Sequence, residues 1–145
     1  NENFSNKYKS LNIYFTAFII DIDTVCGKIT FASAGHIPQL LISSLGIEIL
    51  SQRGNIIGMI PDAEYEEIEK EFNSGRLYLF TDGIEEEFNP EQEQFGEERI
   101  ITILEKLQNE PIQKTLDILY FEMKQFIGNM RIRDDITLIG IDYKN

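Results

Sequence analysis

A chain of 145 residues is one domain's worth of sequence, on a scale of roughly 150 residues per domain. Thirteen Lys and Arg against twenty-five Asp and Glu give a net charge of −12. That charge repels phosphate backbones and anionic lipid and argues against nucleic-acid or membrane-surface partners. With 42% hydrophobic and 11% aromatic residues the chain can bury a core, which excludes disorder. A single cysteine, Cys26, and a single histidine, His36, exclude a disulfide framework and a Cys/His zinc cluster. The cysteine usage suits a reducing cytoplasm, and any metal here has oxygen ligands.

The polar opening, Asn1 to Ser10, has no signal-peptide pattern, and a start at Asn1 rather than Met reads as an excerpt of a longer chain. The longest uncharged apolar stretch, Ile13 to Ile20, falls short of the roughly 20 residues that cross a bilayer. Its β-branched and aromatic residues on both alternating faces predict a strand covered on both sides. Asp21 to Gly27 is turn-rich, and Lys28 to Ser33 alternates as the second strand of a hairpin. After the break at Ala34 to Pro38, two short runs, Gln39 to Ile42 and Ile47 to Leu50, predict a second hairpin. Ala63 to Phe72 suits an amphipathic helix or a strand about equally, because Asn73-Ser74-Gly75 turns directly into the apolar strand Arg76 to Phe80.

Helical spacing appears in the last third. Phe95, Ile100, Ile103, Leu104 and Leu107 recur on one face, with Glu97 and Glu98 in the first turn, where the helix dipole favours them. Asn109 is the expected cap of a second helix that has Pro111 near its start. Leu116, Leu119, Met123, Phe126 and Ile127 form its buried stripe, and Gly128 its stop. Asp135 to Ile141 closes the chain as a buried strand. Strands, then two helices, then a returning strand make an α+β pattern without repeats or linkers.

Two acidic positions share one setting. Asp82 sits where a buried strand ends, beside Gly83, and Asp134 with Asp135 sits where another begins. Carboxylates at strand ends are rigidly held yet face an open edge, an arrangement suited to hard cations such as Mg²⁺ or Mn²⁺. If the two strands are neighbours, Asp82 and Asp134 bracket one ion. Asp-Gly is equally a common turn pair, so the residues alone leave both readings open. His36 lacks the partners of a nucleophilic triad and reads as a turn residue. Glu85 to Glu87 read as a solvated helix start rather than an acid–base pair, and Cys26 has only Lys28 as a cationic neighbour, which leaves a reactive thiolate open but without support. Gly54, Gly58 and Pro61 form a loop with no phosphate-binding pattern.

In order along the chain stand Thr16-Ala17-Phe18, Ser33-Ala34-Gly35-His36-Ile37-Pro38, Gly58-Met59-Ile60-Pro61-Asp62, Phe80-Thr81-Asp82-Gly83-Ile84-Glu85-Glu86, Phe95-Gly96-Glu97-Glu98-Arg99 and Arg133-Asp134-Asp135-Ile136-Thr137-Leu138. This succession resembles the SpoIIE/RsbU group of bacterial PPM-type, metal-dependent serine/threonine phosphatases, the protein phosphatase 2C superfamily, from about Tyr14 to the end. The resemblance implies a layered αββα sandwich of two antiparallel sheets flanked by helices. It also turns Ala63 to Phe72 toward a strand paired with Arg76 to Phe80. It implies a binuclear Mn²⁺ or Mg²⁺ centre whose bridging water attacks phosphorus, with Asp82 and Asp134 as metal ligands. Glu86 and Asn89 match recurring positions of the group without an assigned role, and the Ala-Gly-His turn matches as a hallmark near the sheet edge.

The group's remaining ligands lie in an upstream Asp-x-x-Gly-His-Gly motif, and nothing in Asn1 to Ile13 resembles it. Residues 1–145 are therefore expected to be the C-terminal portion of one catalytic domain, inactive alone and exposing apolar sheet surface. By analogy the substrate is a phosphorylated STAS-domain anti-anti-sigma factor, with a sensory or receiver domain upstream. The competing reading is a pseudo-phosphatase, a binding module of the same fold without turnover.

Overall fold

The computed structural model describes Phe4, Lys7 and residues 13–144. The chain divides into two compact units. One takes in the residues through Pro38 and Ile49–Ser74, the other Gln39–Glu48 and Gly75–Tyr143.

In the first unit, β1 (Ala17–Asp23) and β2 (Lys28–Ala34) form the expected hairpin, in register from Ala17 opposite Ala34 to Asp23 opposite Lys28. The strand starts later than its apolar run suggests. Phe15 is drawn off into an isolated bridge with Ile57, whose N–H donates to the Phe15 carbonyl at 3.0 Å. Nor is β1 covered on both sides. Ile29 and Phe31 are buried on one face, whereas Ile19 is 69% exposed on the other, alongside exposed Asp21 and Asp23.

The segment 63–72 departs furthest from expectation. Only β5 (Ile68–Glu71) is a strand, and it pairs with β2, not with the strand that follows it. Its register sets Phe31 opposite Ile68 and Lys28 opposite Glu71, the Phe72 N–H donates to the Gly27 carbonyl at 2.7 Å, and Lys28 meets Glu69 at 2.6 Å. The sheet order is β1-β2-β5. The turn after Phe72 carries the chain from one sheet to the other.

In the second unit, β3 (Gln39–Ser43), β4 (Gly46–Leu50), β6 (Ser74–Phe80) and β7 (Leu138–Lys144) make a sheet of order β4-β3-β6-β7, with β3 and β6 antiparallel. Leu40, Leu41, Ile42, Leu77, Tyr78 and Phe80 are buried in it. A short helix α1 (Asp82–Glu85) follows β6, then α2 (Gly96–Lys106) and α3 (Ile112–Ile127). Ile100 and Leu104 of α2, with Leu119, Met123 and Ile127 of α3, are fully buried, each contributing about 1.5–3 kcal/mol. Asn109 does not cap α3. Pro111 itself is the cap residue, extended at φ −54° and ψ 140°, and its carbonyl accepts the Thr115 N–H at 3.0 Å. Gly128 ends the helix as expected, at φ +60°. Helix α3 lies against β7 where Gly140 leaves room, since a Cβ there would stand 2.6 Å from Ile112. The final strand begins at Leu138, three residues later than its sequence suggests, because Asp135–Thr137 bond to Thr81 instead of continuing β7. The α+β class of two antiparallel sheets with helices is the fold the chain adopts.

Candidate metal centre

Thr81, Asp82 and Gly83 leave the end of β6, and Asp134 and Asp135 approach the start of β7, its neighbour in the sheet. Three hydrogen bonds strap these ends together. The Thr81 N–H donates to the Thr137 carbonyl at 3.2 Å, the Thr81 hydroxyl donates to the Asp135 carbonyl at 3.1 Å, and the Thr137 N–H donates to Thr81 Oγ1 at 3.0 Å. Gly83 packs so closely that a Cβ would stand 2.5 Å from the Asp135 carbonyl oxygen, so a side chain there would part the two ends. The two acidic motifs picked out as strand-end carboxylates thus share one edge of one sheet.

The strand that leads into Asp82, β6, is fixed from its other side by Gln39. This buried side chain accepts the Phe80 N–H at 2.7 Å and donates to the Phe80 carbonyl at 3.2 Å, extending the β3–β6 pairing to the last residue before Thr81. Asp82 is half-buried, and Asp134 and Asp135 are exposed, so the carboxylates face an accessible edge. The Asp134 carboxylate accepts the Asp135 N–H at 2.7 Å. One turn of α1 onward, burial holds the Glu85 carboxyl above its ordinary value, and the charges of Glu97, Glu86 and Asp82 push it the same way. Such a surplus of negative field suits a divalent cation.

The donor set is one of hard oxygens, which fits Mg²⁺ or Mn²⁺. It is only part of a ligand set, since no group of three or more His, Cys, Asp or Glu able to hold a metal occurs among the described residues. Glu87 corrects the expectation of a solvated acidic run. Glu86 is exposed, but Glu87 is 1% exposed, and its carboxylate accepts the Arg133 N–H at 2.8 Å. Asn89, also buried, closes the next turn by accepting the Glu93 N–H at 2.8 Å and donating to the Glu93 carboxylate at 3.0 Å. Neither contact is visible in the sequence, where Glu87 ends a run of three glutamates.

His36 belongs to the first unit. Its Nδ1 lies 2.9 Å from the Thr16 hydroxyl, and its backbone N–H donates to Ser33 Oγ at 3.3 Å. Cys26 is exposed in the β1–β2 turn, where a hydrogen bond to Asp23 and that residue's negative charge raise the thiol above its ordinary value. That direction disfavours the thiolate, in keeping with the sequence reading.

The family model for Stage II sporulation protein E (SpoIIE) matches residues 1–144. The chain belongs to this family. It therefore stands in the SpoIIE/RsbU group of PPM-type phosphatases that its motifs resemble. It is 29% identical over 149 residues to Protein IcfG of Synechocystis sp., covering 100% of this chain and 23% of that protein. It is 34% identical over 73 residues to Phosphoserine phosphatase RsbP of Bacillus subtilis, covering 49% of this chain and 18% of that protein. Among solved structures, the SiaA-PP2C domain of Pseudomonas aeruginosa matches with a TM-score of 0.82 at 22% identity, over 94% of this chain and 55% of that one. At that identity the likeness is one of fold. The chain spans about a quarter or less of the curated relatives it matches. No helix among the described residues is long and apolar enough to cross a membrane.

Proposed function

We propose that this chain contributes Asp82 and Asp134 to the metal centre of a phosphoprotein phosphatase acting on phosphoserine or phosphothreonine. The observation that carries the reading is the strapped edge: two carboxylates, one just after β6 and one just before β7, on segments held together by Thr81 and by the close approach at Gly83. The name of the relative RsbP, a phosphoserine phosphatase, supports the substrate class. When bound, a pair of Mn²⁺ or Mg²⁺ ions supplies the nucleophilic water and neutralises charge developing on the transferred phosphoryl group. Asp82 and Asp134 hold metal, while Thr81 and Gln39 fix the backbone from which Asp82 projects. Two carboxylates hold a divalent ion weakly, so the remaining ligands come from outside the described residues, and the chain by itself is inactive. The substrate is a phosphorylated STAS-domain anti-anti-sigma regulator in the cytoplasm, and a sensory or receiver domain of the same protein controls the reaction.

The test is hydrolysis of a phosphoserine peptide by the full-length protein with Mn²⁺, compared with Asp82→Asn and Asp134→Asn. Metal-dependent turnover lost in both variants supports the phosphatase and both ligands. A full-length protein inert with every divalent metal supplied, yet binding its phosphorylated partner, would establish the pseudo-phosphatase instead.

A further inference from the structure

Residues 131–137 form neither helix nor strand, so no regular backbone fixes Asp134. Side chains do this instead, from two sides. Thr81 grips Asp135 and Thr137 after it. Before it, the Glu87 carboxylate accepts the Arg133 N–H at 2.8 Å, and the Arg133 guanidinium carbon lies 4.7 Å from the centroid of the adjacent Phe88 ring. Residues 87 and 88 thus hold Arg133 by its backbone and by its side chain. Burying a polar side chain is costly unless it is hydrogen-bonded, and here the bond to the Arg133 N–H meets that cost. A residue that merely filled the core at Glu87 would be apolar.

We infer that Glu87 is a positioning residue for the metal centre. By holding the Arg133 amide it fixes the backbone that presents Asp134, and so links that ligand to the segment carrying Asp82. Glu87 acts through the hydrogen bond and does not itself touch metal. Without this grip, metal binding would have to order a loose segment, at an entropic cost. The inference rests on the metal-centre reading above, and its test separates the two.

The experiment measures Mn²⁺ affinity of the full-length protein by calorimetry, together with hydrogen exchange at the Arg133 amide. Glu87→Gln keeps an acceptor oxygen at the same reach, and Glu87→Met keeps the length without it. The expected result is a loss of about 10-fold or more for Glu87→Met, the scale found for residues that orient metal ligands. Glu87→Gln should stay within about 2-fold of wild type, as only the charge on the acceptor changes. The Arg133 amide should be protected in wild type and Glu87→Gln and exchange freely in Glu87→Met.

If Asp82→Asn and Asp134→Asn leave Mn²⁺ affinity unchanged, the metal-centre reading fails and this inference fails with it. If they weaken binding while Glu87→Met does not, only the role of Glu87 is overturned. Equal losses in Glu87→Gln and Glu87→Met would also overturn it, by assigning the effect to charge. Should Glu87→Met not fold, wild type and Glu87→Gln decide the matter. An unprotected Arg133 amide or a large loss in Glu87→Gln overturns the inference, whereas protection with near-wild-type affinity supports it.

Discussion

In the three-stranded sheet the charged side chains reach water, whereas the second unit buries several polar side chains and ties them to backbone. Lys28 and Glu69 pair across β2 and β5 with both side chains largely solvated. Gln39, Glu87, Asn89 and Thr115 are buried, and each makes at least one bond to a main-chain group. A surface pair is screened by solvent and adds little, but a buried polar group left without its partner costs a large share of a domain's stability. The second unit therefore has rigid backbone at the end of β6 and before β7, where a metal site needs it. In the first unit Asp23 also accepts main-chain N–H groups, those of Val25 and Cys26, but it does so as an exposed residue in a turn.

The sharpest test of this contrast is functional. Asp82→Asn and Asp134→Asn should each lower Mn²⁺-dependent turnover of the full-length protein by about 100-fold or more, as loss of a metal ligand removes charge stabilisation of the reacting phosphoryl group. Substituting exposed Asp21 with Asn should leave the same assay unchanged. Next in size is Gly83→Ala. Its Cβ would collide with the Asp135 carbonyl, and urea unfolding should report a loss of about 3 kcal/mol, at the upper end for overpacking. Gln39→Leu leaves the Phe80 N–H and carbonyl without their side-chain partner and should cost about 2 kcal/mol in the same measurement.

A smaller effect of opposite sign is expected at Glu85. Its folded-state carboxyl titrates above its ordinary 4.5, so the folded state holds the proton to higher pH than the unfolded chain does. Stability then falls as pH rises above 4.5. Glu85→Gln should raise the thermal midpoint at pH 7 and lose that advantage below pH 4.5, which a melting series across pH would read. Smallest of all, Lys28→Met should leave the midpoint within error, and its salt dependence should be that of wild type. A greater loss at Lys28 than at Gln39 would break the contrast between the two units.

Alternation and helical spacing alone determined most of the elements. The β1–β2 hairpin, the β3–β4 pair, the strand ending at Phe80, and the two long helices with their buried faces all follow from local pattern. The strand-end positions of Asp82 and Asp134 were legible for the same reason, because a carboxylate at the end of an apolar strand is a local signal. Pairing was not. Ile68–Glu71 is as compatible with Arg76–Phe80 as with Lys28–Phe31 by local pattern, and only the tertiary ladder, with the Phe72–Gly27 bond and the Lys28–Glu69 contact, decides between them. Asn109 reads as a cap, yet the chain's path gives that place to Pro111. Glu85, Glu86 and Glu87 are chemically alike in sequence. Helix α1 ends at Glu85, so the next two residues leave helical spacing, and the chain turns Glu86 to water and Glu87 inward to the Arg133 amide 46 positions away. A hydrogen bond across that separation leaves no periodic trace, because its donor is a main-chain N–H that every residue except proline carries.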